Sequence, residues 1–467
     1  MDFLNNLIST TNTYLWGYIL IALLILSGLY FSIKTNFVQF RYIKEMYRLL
    51  VSKDSKAGGK EGKVSSFQSF CISTASKVGT GNIAGVAIAV SLGGPGAVFW
   101  MWIIALIGSA SGFVECTLAQ IYKVKDGKAF RGGPAYYMEK GLNKRWMGII
   151  FSILITISFG LIFNSVQANT ITVAFDSAFG ISRNVSGIII VILTSLVIFG
   201  GVTRIARVSE VIVPIFAIAY IAVAILVLVL NITQVPAILK LIFENAFGFK
   251  SVTAGGLGAT IMQGIKRGLF SNEAGMGSSP NAAAAAEASH PVEQGFVQTL
   301  GVFVATLIIC SATAFIILAS GTYSDTNLTG IELTQQALSS QIGPFGSVFV
   351  TVCIFLFAFS SIIGNYYYGQ SNIEFIKTNK VFLNVYRALV VAMVLFGSLV
   401  KVDFVWNLAD LFMGIMAIVN LIAILFLGKY AFLALKDYIA QKKAGVETPV
   451  FKASSIPGLK NADEWEN

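Results

Sequence analysis

Histidine is almost missing from this chain: there is one, His290, among 467 residues. Charge is scarce as well. Asp, Glu, Lys and Arg make up 12% of the sequence, where a soluble domain carries about 25%. Cysteine is limited to Cys71, Cys116, Cys310 and Cys353, far apart and each inside an apolar run. Segments that alternate polar and apolar residues are lacking too. Each shortage excludes something. A lone histidine before a proline in a polar loop is given no role, and neither a nucleophile with its base nor a metal cluster for an intramembrane enzyme emerges. The scattered cysteines form neither a disulfide framework nor a thiolate metal site. Without alternation there is no outer-membrane barrel. The remainder is 55% hydrophobic, with a mean hydropathy of +0.75. That composition describes an all-α polytopic membrane protein.

Apolar runs of roughly 20 residues match a ~30 Å hydrocarbon core. We read eleven transmembrane helices, spans 1 to 11, near 14–33, 66–91, 96–122, 146–172, 185–203, 209–231, 254–288, 295–320, 344–370, 383–401 and 404–428. The N-terminal MDFLNN has no basic region, so the first run reads as a retained span and not a cleaved signal. Of the 33 Lys and Arg, 26 fall on one side of this arrangement, and the loop 321–343 on the other side has none. The positive-inside rule then puts the N-terminus outside and the C-terminus in the cytoplasm of a cell-membrane protein. The net charge of +10 is therefore a topology signal and not a nucleic-acid signal.

Setting span 1 aside leaves ten, and spans 2–6 and 7–11 start on opposite sides. They form a 5+5 inverted repeat behind one extra N-terminal helix. The divisions expected are 1–65, 66–231 (first repeat), 232–253 (outer connection), 254–428 (second repeat) and 429–467 (cytoplasmic tail). The first member of each repeat is irregular. Span 2 carries Gly79-Thr80-Gly81-Asn82, and span 7 carries GLFSNEAGMGSS at 268–279. Interrupted hydrophobic segments at matching places in two halves point to a transporter's binding site.

The chemistry of a break explains why. Unpaired backbone groups in hydrocarbon cost several kcal/mol each, so discontinuous helices line cavities. One half-helix offers free N–H groups and partial positive charge, which suits a carboxylate. The other ends in free C=O groups, which suit an ammonium group or a small cation. A zwitterion with a companion ion fits both ends. The same glycines also suit close helix packing, and GGPG at 93–96 reads as packing or as a turn.

Three stretches carry a resemblance: SKVGTGNIAGVAIAVSLGGPGAVFWMW (76–102), FRGGPAYYMEKGL (130–142) and RGLFSNEAGMGSSPNAAAAA (267–286). The chain resembles the alanine or glycine:cation symporter family over nearly its whole length. The resemblance implies a sodium-coupled amino-acid symporter with the leucine-transporter fold and no cofactor besides sodium as coupling ion. By the same resemblance, the substrate carboxylate would lie on the N–H groups of Thr80 and Gly81, with Asn82 helping to hold substrate or an ion. Phe270, Ser271, Asn272 and Gly275 of span 7 would complete the substrate site. Carbonyls near Ala75 and Val78 would face sodium. In such folds the helix opposite the first break supplies a carbonyl and two hydroxyls, a pattern matched by Phe357, Ser360 and Ser361 of span 9.

Residue spacing adds further candidates. In span 4, Phe163 and Gln167 are four apart and share a helix face, with Asn164 three before Gln167. They can wall a small polar ligand or glue helices together. Charges inside spans default to functional hypotheses. Lys77 precedes the first break and points to a vestibule or snorkels. Arg267 and Glu273 flank the second break, as gate partners or as structural pairs. Glu115 and Asp410 are candidates for structural pairing. No carboxylate adjoins the histidine, so sodium outranks protons as coupling ion.

The expected partners are a small neutral amino acid, sodium and the bilayer. Alanine or glycine is the family default. SASGFVECTLAQIYK (109–123) and SSPNAAAAAEASHPVEQG (278–295) look closer to a glutamine-linked branch. An amino-acid-gated sensor or channel of the same fold is the alternative of another class. Sequence gives no oligomeric state.

Overall fold

The computed structural model describes residues 2–52, 63–127, 129–199, 202–248, 256–325 and 327–466, without the side chains of 2–5, 202–210, 212 and 213. Every expected span falls on helix. Among the described residues, eight helices are long and apolar enough to cross a bilayer by themselves. The other three spans depart from that form. Span 5 is the 16-residue helix Arg183–Ile198. Span 6, Val202–Leu230, contains Pro214, and the stretch Pro214–Leu230 bends by 77° into Ile232–Ala246. Span 7 is divided into Gly256–Asn272 and Ser279–Ala285; its expected first residues, 254 and 255, lie outside the described ones.

Span 2 is divided as well. Ser66–Lys77 begins at a Ser65 capping box, and Thr80–Gly93 resumes after Val78 and Gly79. Span 11 continues as one helix, Val402–Lys443, for 42 residues. Its extension past 428 carries KDYIAQKK-type polarity yet buries Leu435 and Tyr438, so it packs against protein beyond the apolar layer.

Four features add detail to this reading. The all-α class holds for the body of the chain, but residues after span 3 form an antiparallel hairpin, β1 Val124–Asp126 with β2 Ala129–Arg131. Strands this short carry no readable alternation. The connection 232–253 contains the helix Val235–Ala246, opened by Pro236 in its first turn; residues 249–253 lie outside the described ones. The loop 321–343 contains a second such helix, Gly330–Ile342. His290 is not in an open polar loop: it is fully buried, caps Pro291–Val302 through Nδ1, and meets Asp437 on the span 11 extension. The GGPG stretch is both turn and packing surface. Gly94 has φ 75°, and a Cβ on Gly96 would collide with the Ala246 nitrogen.

The helices sort into two packed groups. Span 3 lies along both halves of span 7 and along span 8. Spans 4, 9 and 10 pack on one another. The two broken spans lie side by side, facing spans 4 and 9. The tail folds back under the basic ends of the helices. The Trp465 indole donates to the Gln120 carbonyl at the end of span 3, and the Phe451 N–H donates to Ser289 O.

Candidate functional site

At the first break the chain leaves helical geometry at Val78 (ψ 89°) and Gly79 (φ −150°, ψ −140°). Glycine is required at 79 by proximity: a Cβ would collide with Ser361 Oγ and stand 2.9 Å from Gln167 Oε1. The freed N–H groups take side-chain acceptors. Gly79 N–H donates to Asn82 Oδ1 (3.1 Å), and Thr80 N–H donates to Gln167 Oε1 (3.0 Å). So an amide oxygen lies on the backbone donor that the sequence reading reserved for a carboxylate.

The opposite half-helix end is rich in oxygen. Ser361 Oγ lies 2.7 Å from Ala75 O, 3.0 Å from Phe357 O and 3.5 Å from Val78 O. Ser360 Oγ lies 2.8 Å from Phe357 O. All five residues expected at a cation site thus meet at one place. Phe357 O also takes the N–H of its own helix, but the Ala75 and Val78 carbonyls stand at a helix end, so lone pairs exceed donors there. Such a surplus of hard oxygens suits a small cation. Among the described residues, no cluster of His, Cys, Asp or Glu has the form of a metal site.

The second break runs from Glu273 to Ser278. Glu273 adopts φ 59°, Gly275 83° and Gly277 87°. A positive φ at a non-glycine residue is uncommon and strained. Its backbone donors are already engaged. Gly275 N–H and Gly277 N–H donate to the two Glu115 carboxylate oxygens at 3.0 and 3.1 Å, and Asn420 Nδ2 donates to the same carboxylate at 2.7 Å. Gly275 therefore offers no free N–H here. Glu115, a candidate for structural pairing, braces the break by accepting these N–H groups.

Other side chains also lace the two breaks together. Asn82 Nδ2 donates to Ser271 Oγ (3.0 Å) and to Ala305 O (2.8 Å), so Asn82 and Ser271 join the broken spans to span 8. Glu273 accepts from Ser76 Oγ (2.7 Å) and Ser278 Oγ (2.5 Å). Asn272 Oδ1 accepts from Ala274 N–H, while its buried Nδ2 has no partner. In span 4, Asn164 Nδ2 donates back to Gly160 O on its own helix, while its buried Oδ1 has no partner.

Aromatic rings close one side. Phe163 stacks on Phe270 at 4.6 Å, and Phe270 meets Trp406 at 4.9 Å. Phe270 lies over Gly81, where a Cβ would meet its ring at 2.6 Å. Beyond Trp406, Arg267 makes a two-pronged pair with Asp410 (3.0 and 2.9 Å), and Lys266 joins at 3.1 Å. Arg267 and Glu273 are thus not each other's partners. Lys77 is 2% exposed, against Gly301 of span 8.

The structure therefore brings Ala75, Val78, Phe357, Ser360 and Ser361 together, and sets Thr80, Gly81, Gln167, Phe163 and Phe270 beside them. Glu115, Asn420 and Trp406 were not among the expected site residues. A carboxylate in an otherwise apolar span was the available signal for Glu115.

Comparison with known proteins gives the family and the fold. The model described as the sodium:alanine symporter family matches residues 1–453. The chain is 56% identical to the amino-acid carrier protein AlsT of Bacillus subtilis, over 100% of this chain and 98% of that one. It is 55% identical to the probable sodium/glutamine symporter GlnT of the same organism, over 99% and 96%. It is 37% identical to the sodium/alanine symporter AgcS of Methanococcus maripaludis, over 91% and 95%. Among solved structures, MhsT in complex with L-phenylalanine superposes with a TM-score of 0.53 at 18% identity, covering 83% of this chain and 99% of that one. A manganese transporter of Eremococcus coleocola gives 0.52 at 14%, covering 80% of each. These two share the fold, which is of the leucine-transporter type. The chain belongs to the sodium:alanine symporter family and is a multi-pass membrane protein.

Proposed function

We propose that this protein is a symporter that couples sodium entry to import of a small neutral amino acid by alternating access. The observation that carries the reading is the oxygen cluster of Ala75, Val78, Phe357, Ser360 and Ser361 directly beside the freed N–H of Thr80. Sodium is assigned to the oxygens. The substrate carboxylate is assigned to the N–H groups of Thr80 and Gly81 after Gln167 swings away. Phe163, Phe270 and Trp406 enclose the side chain. Asn82 with Ser271, and Ser76 with Glu273, hold the two breaks in register, so that occupation of one is felt by the other.

Joint binding favours the closed state. That state reopens inward as spans 2, 3, 7 and 8 rock against spans 4, 5, 9 and 10. A sodium ion moving down 100 mV supplies about 2.3 kcal/mol, besides its concentration term. The basic loops orient the chain with its N-terminus outside and its C-terminus in the cytoplasm.

Alanine or glycine fits the close aromatic cover over Gly81. Glutamine is the second reading, favoured by the stretches at 109–123 and 278–295 and by the identity to GlnT. The test is sodium-driven uptake in proteoliposomes, competed by a panel of unlabelled amino acids. Accumulation above equilibrium that needs sodium supports symport. Equilibration alone would make the protein a channel, and binding without flux a sensor. The competitor that abolishes uptake at the lowest concentration identifies the substrate.

A further inference from the structure

Beside the start of span 4 the surface is not flat. Met147 and Ile150 of that helix and Val419, Ile422 and Phe426 of span 11 line an apolar groove of about 530 Å³. The three span 11 residues recur at helical spacing along one face. Val419 and Phe426 are seven positions apart, which is about 10 Å of helix. The groove is thus elongated along the helix, and no acidic residue lines it. Trp146, 61% exposed, stands at its rim. A tryptophan ring left bare at the end of a membrane helix belongs at the headgroup level. One end of the groove therefore meets the headgroups, and the other runs into hydrocarbon.

Charge at that rim is unbalanced. Four basic residues flank the groove in sequence: Lys140, Lys144, Arg145 and Lys429. Lys140 pairs with Asp463, and Arg145 pairs with Glu139. Lys144 lines the groove, and Lys429 follows Phe426 by one turn on the same face. Both lysines are exposed, and neither is ion-paired with a described residue. Lys144 also precedes the helix Arg145–Ile155, which no side chain caps, so the positive end of that helix adds to the same rim.

The two features select different parts of one ligand. Inside a bilayer an apolar groove gains nothing from the hydrophobic effect, since lipid tails are as apolar as its walls. It gains dispersion contacts on both sides of a chain packed within it. The headgroup is chosen by charge. Two uncompensated lysines favour a phosphate whose charge no choline or ethanolamine cancels.

We propose that this groove seats an anionic phospholipid. One acyl chain lies between spans 4 and 11, and the phosphate meets Lys144 and Lys429. The lipid thereby bridges the last helix and the start of span 4, which carries Phe163 and Gln167 farther along.

The test reads lipid binding and not uptake, so its failure would leave symport standing. The full-length protein in non-ionic detergent is titrated with dioleoyl phosphatidylglycerol or with dioleoyl phosphatidylcholine, and lipid-bound protein is measured by native mass spectrometry. The parent is expected to bind phosphatidylglycerol at least about tenfold tighter. A basic residue beside anionic lipid counts for about fivefold in affinity. Lys144→Gln and Lys429→Gln should therefore each weaken phosphatidylglycerol about fivefold and leave phosphatidylcholine unaffected. Ile422→Trp, which fills the groove from its exposed side, should weaken both lipids. Lys377→Gln, in another basic loop, is the control and changes neither. Equal affinity of the parent for the two lipids would overturn the proposal, as would undiminished phosphatidylglycerol binding in the double lysine variant or in Ile422→Trp. Displacement by inorganic phosphate alone would also overturn it, because the site would then need no acyl chain.

Discussion

Gln167 Oε1 stands 3.0 Å from the Thr80 amide nitrogen, across 87 residues of chain. The side chain of span 4 thereby occupies the donor at the start of the second half of span 2. A ligand carboxylate and this amide compete for one N–H. Replacing Gln167 by Glu puts a fixed negative charge at that donor and repels the ligand. A charge-assisted bond is worth ~1.5–3 kcal/mol, so KM for the amino acid should rise at least about tenfold. Uptake kinetics at saturating sodium measure it. An unchanged KM would remove the carboxylate from Thr80.

Ser361 touches three carbonyl oxygens with one proton to give. Ser361→Ala takes a hydroxyl oxygen from the cluster without disturbing helix propensity. The half-saturating sodium concentration should rise roughly tenfold, as for loss of one ligand worth about 1.4 kcal/mol. Maximal uptake at high sodium should change less. Ser186→Ala, whose hydroxyl bonds only within its own helix, is the control. Equal sodium dependence in the two variants would argue against a cation at this place.

Much of this was readable in the sequence. The two breaks stand out because glycines and polar residues interrupt apolar runs, and bilayer physics makes such interruptions rare. Ser360 and Ser361 could be placed on one face with Phe357 by counting alone. The partner of Gln167 could not, because a backbone N–H leaves no mark in the sequence. Glu115 was hidden for the same reason: its partners are the main-chain donors of Gly275 and Gly277. Arg267 had two carboxylates within reach of a guess, Glu273 and Asp410, and periodicity does not choose between helices. The helices Val235–Ala246 and Gly330–Ile342 escaped notice because a hydropathy reading looks for long apolar runs.

Asp410 answers two cations, Arg267 and Lys266, in a dry environment, with Arg267 also 4.5 Å over the Trp406 ring. Asp410→Asn leaves both unpaired. Breaking a buried pair from one side costs about 3–5 kcal/mol, so the thermal midpoint of the purified protein should fall sharply. The triple change Lys266→Leu, Arg267→Met, Asp410→Leu should recover most of it, since apolar replacement of a whole buried pair is often neutral. An Asp410→Asn variant as stable as the parent would contradict the pairing.

His290 accepts the Val292 N–H on Nδ1, which leaves its one proton on Nε2, facing Asp437. Burial holds this imidazole below its ordinary value, against the upward pull of Asp437. The unfolded chain therefore takes up a proton first as pH falls through about 6.5. The stability contributed by the neutral ring is complete above that pH and declines below it, by at most ~1.4 kcal/mol per unit. The thermal midpoint should drop more steeply between pH 7 and 5 in the parent than in His290→Asn, which keeps a capping side chain. Parallel curves would mean that folding leaves the proton affinity of the ring unchanged.

The last helix runs unbroken from Val402 to Lys443. Asp410 and Asp437 lie 27 positions apart on it by number, which is about 40 Å of rod. One end grips Arg267 beside the second break, and the other grips His290 and the tail. A continuous helix of that length fixes the span between its two grips, so the charged cluster beside the second break and the docking point of the tail are set by one rigid element.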